Sequence, residues 1–131
     1  MAFNVTYSNH YVWNQTRQGA PQDNRPYAEV VLTGQTSVRI WCLVDSGADR
    51  IQLNQSFANN VGIALPATTQ QVQTASGGNT NVYSVSNVSL SIEGKNISDT
   101  CLFGNNTTPI LGRVTFLNAF KVGFDKQGWL A

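Results

Sequence analysis

Asp45 is the residue around which this chain could do chemistry. It stands where an apolar run, Ile40-Trp-Cys-Leu-Val, gives way to Ser46-Gly-Ala-Asp. An ionised carboxylate at the end of a buried strand is costly unless it is paired or hydrogen-bonded. Two uses fit the position. One is a plain turn, because Asp and Ser bond back to the chain and Gly takes positive φ. The other is acid–base work on water and a carbonyl group, which needs one group to accept a proton and another to donate one. Among the aspartates only Asp45 has apolar residues before it and small ones after it. Asp49 follows in the same loop, while Asp23, Asp99 and Asp125 lie in polar or turn-like stretches.

Other chemistries find little support. Cys42 and Cys101 are too few for a zinc site unless His10 and a carboxylate join them, so they read as buried thiols and no metal or cofactor is expected. The 8 basic and 7 acidic residues leave a net charge of +1 with no Lys/Arg cluster, which disfavours a phosphate-tracking protein. Trp13, Trp41 and Trp129 are not interleaved with basic residues and read as packing residues, not as a nucleobase platform. No apolar run approaches the roughly 20 residues that cross a bilayer. The opening Met1-Ala-Phe-Asn-Val-Thr does not look like a signal peptide, so the expectation is a cytoplasmic protein with no nucleic-acid or membrane partner. Seven Asn-x-Ser/Thr sequons read as composition, since Asn, Gln, Ser and Thr make up 46 of the 131 residues.

That composition, with only 11% charged residues, favours strands and turns over long helices. Residues 1–24 hold Tyr7, Tyr11 and Trp13 without a sustained period and read as an arm or extra hairpin ahead of one domain, 25–131. Tyr27 to Leu32 and Val38 to Val44 pattern as a hairpin around Thr33-Gly-Gln-Thr. In its second strand Val38, Ile40, Cys42 and Val44 share a face; Trp41 and Leu43 make the far end apolar on both sides, which places that end deep in the domain. Gln52 to Gln73 reads as a polar segment, followed by the hairpin tip Thr74-Ala-Ser-Gly-Gly. Tyr83 and Val85 fall on odd positions but Val88, Leu90 and Ile92 on even ones, so a bulge or corner is expected near Ser86-Asn87. After a strand from Ile97 to Phe103, the spacing of Val114, Leu117 and Phe120 predicts one short helix, and Lys121-Val-Gly-Phe a final strand. The class is all-β.

The order of these motifs resembles the retropepsin family, the dimeric aspartic proteases of retroviruses and their cellular and bacterial relatives. Asn24-Arg-Pro-Tyr resembles the segment before the first core strand, Leu43-Val-Asp-Ser-Gly-Ala-Asp the catalytic loop, Thr74-Ala-Ser-Gly-Gly the flap tip and Pro109-Ile-Leu-Gly-Arg the segment before the helix. The arm before Arg25 and the stretch Asp125-Lys-Gln-Gly-Trp-Leu-Ala depart from that pattern, and the loop between catalytic segment and flap is longer. The resemblance implies a retropepsin-like acid protease fold, one lobe per chain with one short helix, active as a two-fold homodimer. It implies an aspartic endopeptidase in which two Asp45 carboxylates share one proton and activate water.

Further roles follow from the same resemblance. Ser46 would lock the two loops across the axis, or serve as a simple turn hydroxyl. Gly47 would present its carbonyl to substrate, Ala48 would line the first pocket, and Asp49 and Arg50 would bind substrate beside it. Ala75, Ser76, Gly77 and Gly78 would form the flap, or an ordinary Gly hairpin. Thr108 and Ile110 would line pockets, although core packing suits Ile110 as well. Asp49, Arg113 and the partner's Arg25 would form an ion-pair network at the dimer interface, or plain surface pairs of little weight. Two other readings stand beside this one: a dimeric peptide-binding module of the same fold without catalysis, and a secreted glycan-binding β-sandwich.

Overall fold

A computed structural model describes residues 6–7, 10–12, 17–23, 25–73, 77–118, 120, 122–124 and 128–130. Its elements in chain order are β1 (His10–Val12), β2 (Tyr27–Thr33), β3 (Ser37–Asp45), β4 (Ile51–Asn54), α1 (Gln55–Val61), β5 (Gln70–Gln73), β6 (Asn79–Ile92), β7 (Lys95–Gly104), β8 (Ile110–Gly112), α2 (Arg113–Leu117), β9 (Gly123–Phe124) and β10 (Gly128–Leu130). The all-β expectation holds, with strand order β2-β3-β8-β4-β7-β6 and β6 pairing back onto β2. Those six strands close into a barrel, which removes free edges from its core. β5 lies outside, on the far side of β6. A second sheet, β1-β10-β9, joins a strand from the arm to the last two strands of the chain.

Strand alternation builds the core. Ala28, Val30 and Leu32 of β2 and Ile40 and Cys42 of β3 point inward and are buried, meeting Val88, Leu90 and Ile92 of β6, Phe103 of β7 and Leu111 of β8. The expected register change in β6 is a bulge between Val85 and Val88, with Asn87 at φ +56°. It turns the second half of the strand onto β2, pairing Leu90 with Leu32, and so permits closure.

Three expectations fail for physical reasons. The first is the single helix. α1 adds another inside the segment read as merely polar, capped by Asn54, whose side chain accepts from the Ser56 N–H, and ended by Gly62 at φ +77°. Its buried side chains, Ala58 and Val61, are too few to give a sustained helical stripe. The second is the inward face of α2, where Thr115 and Phe116 are buried while Leu117 is 55% exposed. Phe120 instead packs on Phe116, with ring centroids 5.5 Å apart. The third is the far end of β3, which is only partly buried from Leu43 to Asp45 because it runs out of the barrel into a cleft. No helix among the described residues is long and apolar enough to cross a membrane.

Candidate active site

β3 delivers Asp45 to the cleft, and β8 fixes it from beside. The two strands run parallel, with Leu43 opposite Ile110, Val44 opposite Leu111 and Asp45 opposite Gly112. β8 also pairs with β4 through Ile110 and Gln52, so a strand from late in the chain is inserted between the two strands that flank the Asp45 loop. Gly112 is obligatory here, because a Cβ would collide with the backbone of Arg50.

The loop itself is held from both ends. Gly47 N–H donates to Asp45 Oδ1 at 2.8 Å and Ala48 N–H to the Asp45 carbonyl at 3.2 Å. A Cβ on residue 47 would lie 3.2 Å from that Oδ1. The first N–H groups of α2, which a helix leaves unpaired, donate to the same loop: Arg113 to the Ala48 carbonyl at 2.7 Å and Val114 to the Asp49 carbonyl at 2.8 Å. Buried Thr115 accepts from Ile51 N–H at 3.1 Å, tying helix to β4. The loop backbone is therefore fixed by β8 and α2, while the carboxylate itself is oriented by the Gly47 N–H.

The remaining expected site residues separate into groups. Gly47, Ala48 and Ile110 line a cleft of about 590 Å³ with Asp45, beneath the hairpin of β5 and β6. Arg113 reaches Asp49 at 3.3 Å, both side chains largely exposed. Arg25 lies 3.0 Å from Asp23 and over the Tyr27 ring, and so is engaged within its own chain. The Arg25 hydrogen bond holds the Asp23 carboxyl below its usual range, while burial raises the Tyr27 hydroxyl. Arg50 lies beside a second hollow of about 630 Å³, but its guanidinium donates to Asp99 Oδ1 at 2.8 Å. Thr108 is not among the residues lining the cleft; its carbonyl accepts from the Asn106 side chain. Ser46 is exposed and borders a small apolar hollow of about 180 Å³ formed by Val44, Phe116, Leu117 and Val122. Of the hairpin tip, Gly77 stands at φ +87° with open space around it, Gly78 is exposed, and Ala75 and Ser76 lie outside the described residues.

Several cleft residues escaped the sequence reading: Gln52, Val72, Gln73, Thr80, Asn105 and Asn106. Gln52 carried a signal, since it alternates with apolar Ile51 and Leu53. The others come from a hairpin arm and a turn, where local pattern says little about what they face. Cys42 and Cys101 are free and buried, and burial pushes both thiols well above their ordinary range. Among the described residues no three His, Cys, Asp or Glu side chains gather as metal ligands would.

Comparison with known proteins adds one result to this geometry. No curated protein matches the chain. A family model does match, and its span, residues 28–118, runs from the first barrel strand through α2 and takes in Asp45, both arms of the hairpin and β8. The chain belongs to the family described as gag-polyprotein putative aspartyl protease.

Proposed function

We propose that the protein is an aspartic endopeptidase that works as a homodimer, each protomer supplying one Asp45. The observation that carries this reading is the isolation of that carboxylate. Asp45 is the one acidic residue among the described residues lining the cleft, and it is oriented there by Gly47 and by the parallel pairing with β8. Hydrolysis of an amide by carboxylates needs an acid and a base together. A two-fold axis beside Ser46 and Gly47, both exposed, brings a second Asp45 to the first, as an isologous dimer allows.

The chemistry then follows. Two carboxylates at close range do not both ionise, so the pair holds one proton between them. The ionised member takes a proton from water as its oxygen attacks the peptide carbonyl carbon, and the protonated member gives its proton to the carbonyl oxygen. Collapse of the diol breaks the C–N bond, with a proton passing to the departing amine. An extended peptide lies as an added strand between the cleft floor and the two hairpins, held mainly by backbone hydrogen bonds.

The decisive experiment compares wild type with Asp45→Asn on a diverse peptide mixture, with and without a pepstatin-type inhibitor. The variant keeps the fold, which rests on apolar strands, and loses turnover by at least about a hundredfold, the usual scale of acid–base catalysis. Wild-type turnover in Asp45→Asn removes the mechanism. Binding of peptides by both proteins with cleavage by neither makes the chain a peptide-binding module instead. Where cleavage occurs, the rate is higher at mildly acidic pH, where the pair retains its proton. A rate that climbs steadily into the alkaline range contradicts the shared-proton pair.

A further inference from the structure

The walls of the cleft are unusual in their chemistry. Asn and Gln are 24 of the 131 residues but four of the ten described residues that line it: Gln52, Gln73, Asn105 and Asn106. Gln52 is aimed there by its strand. Ile51 and Leu53 on either side of it are fully buried, and alternation sends the residue between them to the opposite face. It borders both the 590 Å³ cleft and the adjoining 630 Å³ hollow.

Asn106 beside it is held in a single orientation. Its side-chain nitrogen donates to the Gln52 carbonyl at 3.1 Å and to the Thr108 carbonyl at 2.9 Å, while its main-chain carbonyl accepts from the Asn54 side-chain amide at 3.1 Å. Both N–H bonds of that amide are therefore used, and its Oδ1 is left as an acceptor with no partner among the described residues. The side-chain amides of Gln52, Gln73 and Asn105 also make no hydrogen bond within the described chain. Charge is largely balanced nearby, since Arg113 faces Asp49 and Arg50 faces Asp99.

We propose that this amide-lined wall selects substrates carrying a Gln or Asn side chain next to the cleaved bond, with Gln52 and Asn106 as the specificity-determining pair. The inference rests on the peptide-hydrolysis reading above. A substrate amide can donate to Asn106 Oδ1 and exchange a second hydrogen bond with the Gln52 amide. An apolar side chain of the same size strips water from these groups and returns nothing. That asymmetry makes a hydrogen-bonding site discriminate more sharply than an apolar one.

The test uses two synthetic peptides that differ only in one residue flanking the cleaved bond, Gln in one and Leu in the other. Wild type cleaves the Gln peptide with a kcat/KM roughly tenfold higher, the factor expected when one buried polar group loses its partner. Gln52→Leu, on a cleft-facing position of β4 that leaves the core untouched, narrows or inverts that ratio. Calorimetric binding of both peptides to Asp45→Asn protein reads the same preference without turnover. Cleavage with Leu preferred, or with the ratio unmoved by Gln52→Leu, overturns the specificity and leaves catalysis standing. Tighter binding of the Gln peptide without cleavage by any form leaves the amide pair standing and overturns catalysis. Equal binding of the two peptides, or binding of neither, overturns the inference.

Discussion

Two arginine–carboxylate pairs differ in nearly every physical respect. Arg17, from the arm, meets Glu93 in the β6–β7 turn with two hydrogen bonds, at 2.9 and 2.7 Å. Its guanidinium also lies 4.6 Å from the centre of the Trp41 ring. The side chains are 24% and 7% exposed. Arg113 meets Asp49 through one bond of 3.3 Å, and those side chains are 57% and 77% exposed. The first pair is complete inside one chain. The second has the same chemistry but is left open to solvent, on the side where the Asp45 loop and Leu117 are also uncovered.

The difference shows what each pair is for. An exposed pair in water contributes little, because screening and side-chain entropy offset its attraction. A bidentate pair with a buried carboxylate is worth much more to keep than to break. Glu93 illustrates the investment. It sits at φ +47°, unusual for a residue with a side chain, in a two-residue hairpin turn with Gly94 at +83°. Its carboxylate accepts from Glu29 N–H at 2.8 Å and its own N–H donates to the Glu29 carbonyl at 2.9 Å. A strained turn is thus held by the neighbouring strand and by the arm together.

The largest effect expected from this contrast comes from Arg17→Met. Removing the guanidinium from a carboxylate that is 7% exposed costs about 2 to 3 kcal/mol, a fall in Tm of roughly 10 °C for a domain of this size. Urea or thermal unfolding measures it. The double variant Arg17→Met with Glu93→Gln should be less unstable than the sum of the single ones, since the two residues act as a unit. A loss below about 0.5 kcal/mol for Arg17→Met would reduce the arm contact to an ordinary surface pair.

The two pairs were not equally legible in the sequence. Asp49 and Arg113 stood in recognisable motifs, and the Asp45 loop, the β2–β3 hairpin and the β6 bulge all followed from local alternation and turn chemistry. Glu93 gave no sign, because Glu-Gly in a turn looks like any surface hairpin until the arm is placed on it. The same holds for Asp99, which sits in β7 with its carboxylate on Arg50, Asn118 and the Thr100 N–H. Those partners lie on other elements and leave no local pattern. α2 failed in another way: five residues do not complete two turns, so spacing alone could not decide between the Val114–Leu117 face and Thr115–Phe116. The decision was made by Thr115, whose hydroxyl is needed by a buried N–H of β4, a demand set by the tertiary structure.

The smaller and more informative effect belongs to the Arg113–Asp49 pair. In the proposed dimer Arg113 and Asp49 are covered by the partner, which raises the value of a planar guanidinium that can hold a carboxylate with two N–H groups. Arg113→Lys keeps the charge but not that geometry. The isolated protomer should not notice, because the pair is exposed there, and its unfolding free energy should stay within about 0.5 kcal/mol of wild type. The dimer should notice, with a dissociation constant raised about tenfold, equivalent to about 1.4 kcal/mol. Sedimentation across a dilution series measures the second quantity and urea unfolding at low concentration the first. Arg25 sharpens the outcome, since Asp23 holds it at 3.0 Å within its own chain and it must exchange that partner to reach Asp49 across an interface. If Arg113→Lys destabilises the protomer and leaves association unchanged, the two pairs differ only in strength. If it weakens association alone, the contrast between a pair completed by its own chain and one completed by a second chain is the organising feature of the molecule.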